Sequence, residues 1–156
     1  MSLSESSPWT IETPSFLDHP QLVVIWERAV RATHTFFTEE DVAFFRDALR
    51  CRYLPVADLK VARDEAGVIV GFLGTMGESL DMLFVDPSVH GRGAGSALLA
   101  HGLSLGAVCL DVYEANLDAR AFYEKRGFVA EGRLEVDSTG KARPLLVMRH
   151  QSSARR

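Results

Sequence analysis

The chain has 156 residues, 47% hydrophobic and 24% charged, with a formal net charge of −4, a size and balance that fit one globular domain with a single core. No apolar run reaches the ~18 residues of a membrane helix. The one compact basic cluster is Arg155 and Arg156 at the end, too little to neutralise a run of phosphates, so neither a membrane nor a nucleic acid is expected as partner.

Residues 1–8 are polar, with no basic residue ahead of an apolar stretch. They read as a disordered start rather than a secretory signal, and the cytosol is the expected compartment. Residues 9–13 can form a short strand, stopped by Pro14. From 18 to 33, Leu22, Ile25, Trp26, Ala29, Val30 and Thr33 recur at spacings of three and four, which predicts a helix. Thr38 followed by Glu39, Glu40 and Asp41 has the form of an N-cap with first-turn acids. It opens a second helix with Val42, Phe45, Leu49 and Tyr53 on one face, ended before Pro55. Strands follow over 60–63, 68–76 and 80–85, separated by Asp64-Glu65-Ala66-Gly67 and by Gly77-Glu78; links this short call for antiparallel pairing. Next come a helix over 96–105, a strand over 108–112 and a helix over 119–126 ended by Gly127. Strands over 129–136 and 145–149 close the domain around the turn Asp137-Ser138-Thr139-Gly140. The expected fold is α/β in the α+β sense: one domain over 9–150, with a mixed, mainly antiparallel central sheet flanked by helices, and a polar, basic tail over 151–156.

Two cysteines make no disulfide framework, and Cys109, inside Ala107-Val108-Cys109-Leu110, reads as a buried inert thiol. The histidines at 19, 34, 90, 101 and 150 have no metal-ligand spacing, so no metal is expected. The most informative stretch runs from Leu83-Phe84-Val85 through Asp86-Pro87-Ser88-Val89-His90-Gly91-Arg92-Gly93-Ala94-Gly95 into a helix at Ser96. Glycines permit positive φ and a close backbone approach, and successive N–H groups at a helix N-terminus suit a phosphate or pyrophosphate. Arg92 adds a charge-assisted contact. A bare strand-to-helix turn needs fewer glycines. The dinucleotide fingerprint G-x-G-x-x-G requires a third glycine where Ser96 or Leu98 stands; only Asp111, ending the next strand, keeps a dinucleotide-binding oxidoreductase in view.

These residues resemble the GCN5-related N-acetyltransferase (GNAT) superfamily. Its pyrophosphate motif, Q/R-x-x-G-x-G/A after a Val-x-Pro strand end, is matched by Val85-Asp86-Pro87 and His90-Gly91-Arg92-Gly93-Ala94-Gly95. A second signature is matched by Asn116, Ala119, Phe122-Tyr123 and Gly127-Phe128. One departure is His90, which stands where the motif has Gln or Arg. The segments 25–34 and 143–149 further resemble a bacterial subgroup of the superfamily, which extends the likeness over nearly the whole chain.

The resemblance implies a fold with splayed central strands and acetyl-coenzyme A as co-substrate. The pantetheine arm is then expected against the backbone of Leu83, Phe84 and Val85, with the pyrophosphate on the backbone of His90, Gly91, Arg92, Gly93, Ala94, Gly95 and Ser96. Asn116 either contacts pantetheine or caps the helix that follows it. Tyr123 is the expected general acid, a phenol of pKa ~10 being matched to a thiolate leaving group, with Phe122 in the core and Tyr123 at the sulfur. Asp81 and His34 are the candidate bases for the acceptor ammonium. Each also has a bland reading, as a solvent-facing strand position and as the end of an amphipathic helix. Trp26, His34, Phe36, Phe37 and the 137–144 hairpin are expected to shape the pocket for a small-molecule or protein amine. A non-catalytic acyl-coenzyme A sensor of the same fold stays open, as does a homodimer.

Overall fold

The computed structural model describes residues 7–153; residues 1–6 of the expected disordered start and Arg155–Arg156 lie outside the described residues. The elements in chain order are β1 (Thr10–Glu12), α1 (His19–Thr33), α2 (Glu39–Ala48), β2 (Asp58–Arg63), β3 (Ile69–Met76), β4 (Ser79–Val85), α3 (Ala94–Ser104), β5 (Cys109–Tyr113), α4 (Leu117–Lys125), β6 (Phe128–Leu134) and β7 (Leu145–His150). The strands form one sheet in the order β1-β2-β3-β4-β5-β7-β6. Its pairs are antiparallel except β4 with β5. The mixed sheet with helices on both faces is the α+β architecture that the short inter-strand links call for. No helix among the described residues is long and apolar enough to cross a membrane.

Each face of the sheet carries its own core. On one, α1 lays Leu22, Ile25, Trp26 and Val30 against Val61, Phe72 and Met82, the stripe that spacings of three and four produce on a helix. On the other, Leu98 and Leu99 of α3 meet Leu73 and Leu80 together with Leu110, Val112 and Met148. The first core draws only on the N-terminal half of the sheet, β2 to β4, whereas the second also takes in β5 and β7. Because β3 is covered on both faces, seven of its eight residues are buried, so its sequence is a continuous apolar run instead of an alternation.

α2 departs from the sequence expectation. Its capping box is present, with Thr38 Oγ1 accepting from the Asp41 amide and the Asp41 carboxylate accepting from the Thr38 amide. After Ala48, however, the helix widens into a π-turn over Leu49–Tyr53, with the Leu54 amide donating to the Leu49 carbonyl at 2.9 Å. A five-residue step aligns Leu49 with Leu54, both buried, and rotates Tyr53 off the apolar face on which α-helical spacing places it. Similarly, the segment between β6 and β7 is a ten-residue connection, with the expected turn at 137–140 only its tip.

Candidate active site

β4 and β5 run side by side but pair only at Ser79↔Cys109. Beyond that point Leu83, Phe84 and Val85 have β3 on one side and, on the other, a cleft of about 910 Å³. β4 also carries a bulge in its pairing with β3. Gly74 pairs with Met82 and Thr75 with Leu80, leaving Asp81 as the extra residue of β4. A bulge shifts the alternation of side chains by one. Accordingly Leu80 packs under α3 while Met82 joins the core under α1, and Asp81 is exposed at the cleft wall.

The glycine loop closes one end. Gly91 and Gly93 have φ of 82° and 90°, the left-handed region that costs other residues roughly 1–2 kcal/mol. Gly93 is the N-cap of α3 with no side chain capping it, so the amides of Ala94, Gly95 and Ser96 face the cleft without intrahelical acceptors. Not all of the loop is free for a ligand, however. The His90 amide donates to Pro87 O at 3.2 Å and the Arg92 amide to Val89 O at 3.3 Å. This corrects the expectation for the His90 backbone, because the 3-10 turn at Pro87–Val89 already uses that N–H. Asp86, buried, anchors the same turn by accepting from the Ser88 amide and pairing with Arg28 at 3.2 Å. Trp9, ahead of β1, donates its indole N–H to Arg92 O at 3.2 Å and so holds the loop from outside. Nothing near Trp9 in sequence signals that contact, which crosses 83 residues.

The second signature lies across the cleft. Asn116 caps α4, its Oδ1 accepting from the Ala119 amide at 3.2 Å, and it also lines the cleft, so the two readings of this residue meet in one side chain. The arrangement of the aromatic pair corrects the expectation: Tyr123 is the buried ring, 8% exposed and packed on Phe128, while Phe122 is half-buried. Both line the cleft. The Tyr123 hydroxyl has no hydrogen-bond partner among the described residues. Burial pushes its phenol above the ordinary range. The Cys109 thiol is half-buried rather than buried, donating to Glu78 O at 3.2 Å, and burial raises it.

The far end of the cleft is aromatic and acidic. His34, Phe37 and Tyr113 stand with ring centroids 5.0–5.7 Å apart. Thr33 Oγ1 donates to Ala29 O, and His34 Nδ1 lies 2.8 Å from Thr33 Oγ1. Burial lowers the imidazole to about 4, so it is neutral at pH 7 but a weak base. On the adjoining strand Asp111 also faces the cleft, its carboxyl raised by burial and by the nearby Asp81 charge. The end wall is tied together by ion pairs that no sequence motif marks. Buried Asp41 accepts from Lys141 Nζ at 2.8 Å and from Arg143 at 2.9 and 3.0 Å. Arg143 also pairs with buried Asp137 at 3.2 Å, which accepts from the Tyr113 hydroxyl at 2.9 Å.

The cleft takes in the glycine loop and the gap between β4 and β5, and Tyr123, Asp81 and Asp111 are among the residues that line it. Residues 55–130 match the model of the acetyltransferase (GNAT) domain. The peptidyl-lysine N-acetyltransferase YjaB of Escherichia coli is 44% identical over 127 residues, covering 81% of this chain and 86% of the relative. The solution structure of apo-form YjaB from Escherichia coli superposes with a TM-score of 0.84 at 40% identity, covering 92% of this chain and 97% of the other. The PaiA N-acetyltransferase of Thermoplasma acidophilum, solved with coenzyme A, shares the fold at a TM-score of 0.71 and 17% identity, over 91% and 98% of the two chains.

Proposed function

Because this chain belongs to the acetyltransferase (GNAT) family, and is an N-acetyltransferase, we propose that it moves the acetyl group of acetyl-coenzyme A onto lysine side chains of proteins. The observation that carries this reading is the parting of β4 from β5 after a single pair, in line with the uncapped N-terminus of α3. A thioester-linked arm fits the opening, and a pyrophosphate suits the free amides. Lysine as acceptor is supported by relatives named for that activity and by the Asp81 and Asp111 carboxylates on the cleft wall.

Acetyl-coenzyme A supplies an activated thioester. The β4 backbone beyond Ser79 has N–H and C=O groups with which to orient the arm and to polarise the thioester carbonyl. The acidic wall draws the acceptor ammonium in and takes its proton, leaving a free amine to form the new C–N bond as the C–S bond breaks. Tyr123 faces the departing sulfur. Its raised phenol keeps its proton at any working pH, so it stabilises the thiolate chiefly by donating a hydrogen bond, and the proton lost by the amine completes the thiol. With the imidazole of His34 lowered by burial and the carboxyl of Asp111 raised by it, Asp111 is the candidate proton acceptor.

The test is release of free thiol, with acetylation of a lysine peptide, on mixing the chain with acetyl-coenzyme A. Saturable binding without thiol release from any lysine peptide supports the non-catalytic sensor instead. In an active preparation Tyr123→Phe is expected to lower kcat about 100-fold while leaving the Kd for acetyl-coenzyme A within about twofold. Full turnover in that variant removes the role given to Tyr123.

A further inference from the structure

Arg126 is an arginine at the cleft without a carboxylate among its bonded partners. It is the C-cap of α4. Its Nε and Nη2 donate to Ser96 Oγ at 3.1 and 2.7 Å, and its Nη1 donates to Phe122 O at 2.9 Å. The guanidinium lies 3.8 Å over the Phe122 ring. A guanidinium has five N–H groups, so three bonds to neutral oxygens leave two donors and the whole positive charge uncompensated. Other arginines in the fold meet carboxylates: Arg28, Arg31, Arg46, Arg63, Arg133 and Arg143 among them. The cleft carboxylate on the same helix, Asp118, sits eight residues earlier, about 12 Å along the axis.

The placement is specific. Ser96 belongs to the first turn of α3, whose amides are uncapped. A Cβ on Gly95 would lie 3.5 Å from the Phe122 ring, so the ring and the guanidinium stacked on it border the loop directly. Stacking fixes the plane of the fork, and Ser96, already accepting twice, retains its own O–H to donate. A half-buried cation, a hydroxyl donor and free helix amides thus converge on one corner of the cleft. From its position in sequence Arg126 reads only as a cation in the last turn of a helix, before Gly127.

We propose that Arg126, with Ser96, binds a phosphate of the cofactor and is a determinant of cofactor affinity. This rests on the acetyl-coenzyme A reading above. Coenzyme A carries two sources of that chemistry, the pyrophosphate and the 3′-phosphate of the ribose. The test is calorimetric titration of the full chain with acetyl-coenzyme A and with its 3′-dephospho form, in the wild type, Arg126→Met and Arg126→Lys. Methionine keeps an apolar stem on Phe122 and removes the charge.

Arg126→Met is expected to weaken acetyl-coenzyme A about 10- to 100-fold, with a shallower salt dependence and partial recovery in Arg126→Lys. A loss confined to acetyl-coenzyme A assigns the contact to the 3′-phosphate, and an equal loss with both forms assigns it to the pyrophosphate. Unchanged affinity for both forms, in a variant that melts like the wild type, overturns the proposal. If Arg126→Met does not fold, Arg126→Gln takes its place, and unchanged affinity for both forms in that variant overturns the proposal. A wild type that binds neither form removes the acetyl-coenzyme A reading itself, a result no variant can mimic.

Discussion

Glutamate in place of Gly93 is expected to raise the Kd for acetyl-coenzyme A at least 100-fold. Two effects add. Gly93 has φ 90°, where any side chain strains the backbone by roughly 1–2 kcal/mol. The new carboxylate would also stand beside uncapped amides that suit an anion, repelling a pyrophosphate at a few ångströms. Crowding is not the cause, because a Cβ at Gly93 meets nothing nearer than Trp9 Nε1 at 3.8 Å. Gly93→Ala separates the two effects: it carries the strain without the charge, so it should melt a few degrees lower yet lose much less affinity. Equal losses in both variants would show that loop conformation, not charge, governs binding. Undiminished affinity in Gly93→Glu would move the phosphates away from this loop.

Asp41→Ala is expected to destabilise the chain by about 3 kcal/mol, because it leaves Lys141 and the half-buried Arg143 without their shared carboxylate. For a domain of this size that is roughly 10 °C in Tm. Asp41→Asn, which preserves shape and the Thr38 contact, isolates the charge. The Arg143 and Lys141 bonds hold the Asp41 carboxyl far below its ordinary 3.8. Since the folded value is the lower one, the stabilisation is fully present above about pH 4, the unfolded value, and disappears as pH falls toward the folded one. The Tm difference between wild type and Asp41→Asn should therefore be constant near neutrality and shrink below pH 4. A difference that persists unchanged into strong acid would show that it does not come from the ionised carboxylate.

What the sequence made legible was local. The Thr38 cap, the Leu22-to-Val30 stripe and the β2 to β4 meander follow from spacing and turn residues, and the glycine loop announces an anion site because few other functions need those residues together. What stayed hidden depends on long-range placement. The Trp9 bond to Arg92, the Asp41 cluster with Lys141 and Arg143, and the seat of Arg126 on Phe122 all join segments whose sequences say nothing of one another. The expectation of Phe122 in the core failed for a different reason: the helix makes adjacent residues diverge, and the ring of Phe128, on which Tyr123 packs, lies beyond what the helix spacing shows. His34 shows a third limit. Its identity suggests a base, while its enclosure by Thr33, Phe37 and Tyr113 lowers its basicity.

The unequal reach of the two cores has a mechanical consequence. Under α3, one continuous apolar contact binds both halves of the sheet, so they cannot part there without wetting Leu80 and Leu110. Under α1 the core stops at β4. On that side the halves are spanned by the ions of Asp41, Lys141 and Arg143 and by the edges of Phe37 and Tyr113. The domain is therefore built like a book, with α3 at the spine and an ionic clasp on the open covers. Any parting of the two halves would pivot about the spine, with the clasp of Asp41, Lys141 and Arg143 as the part that opens.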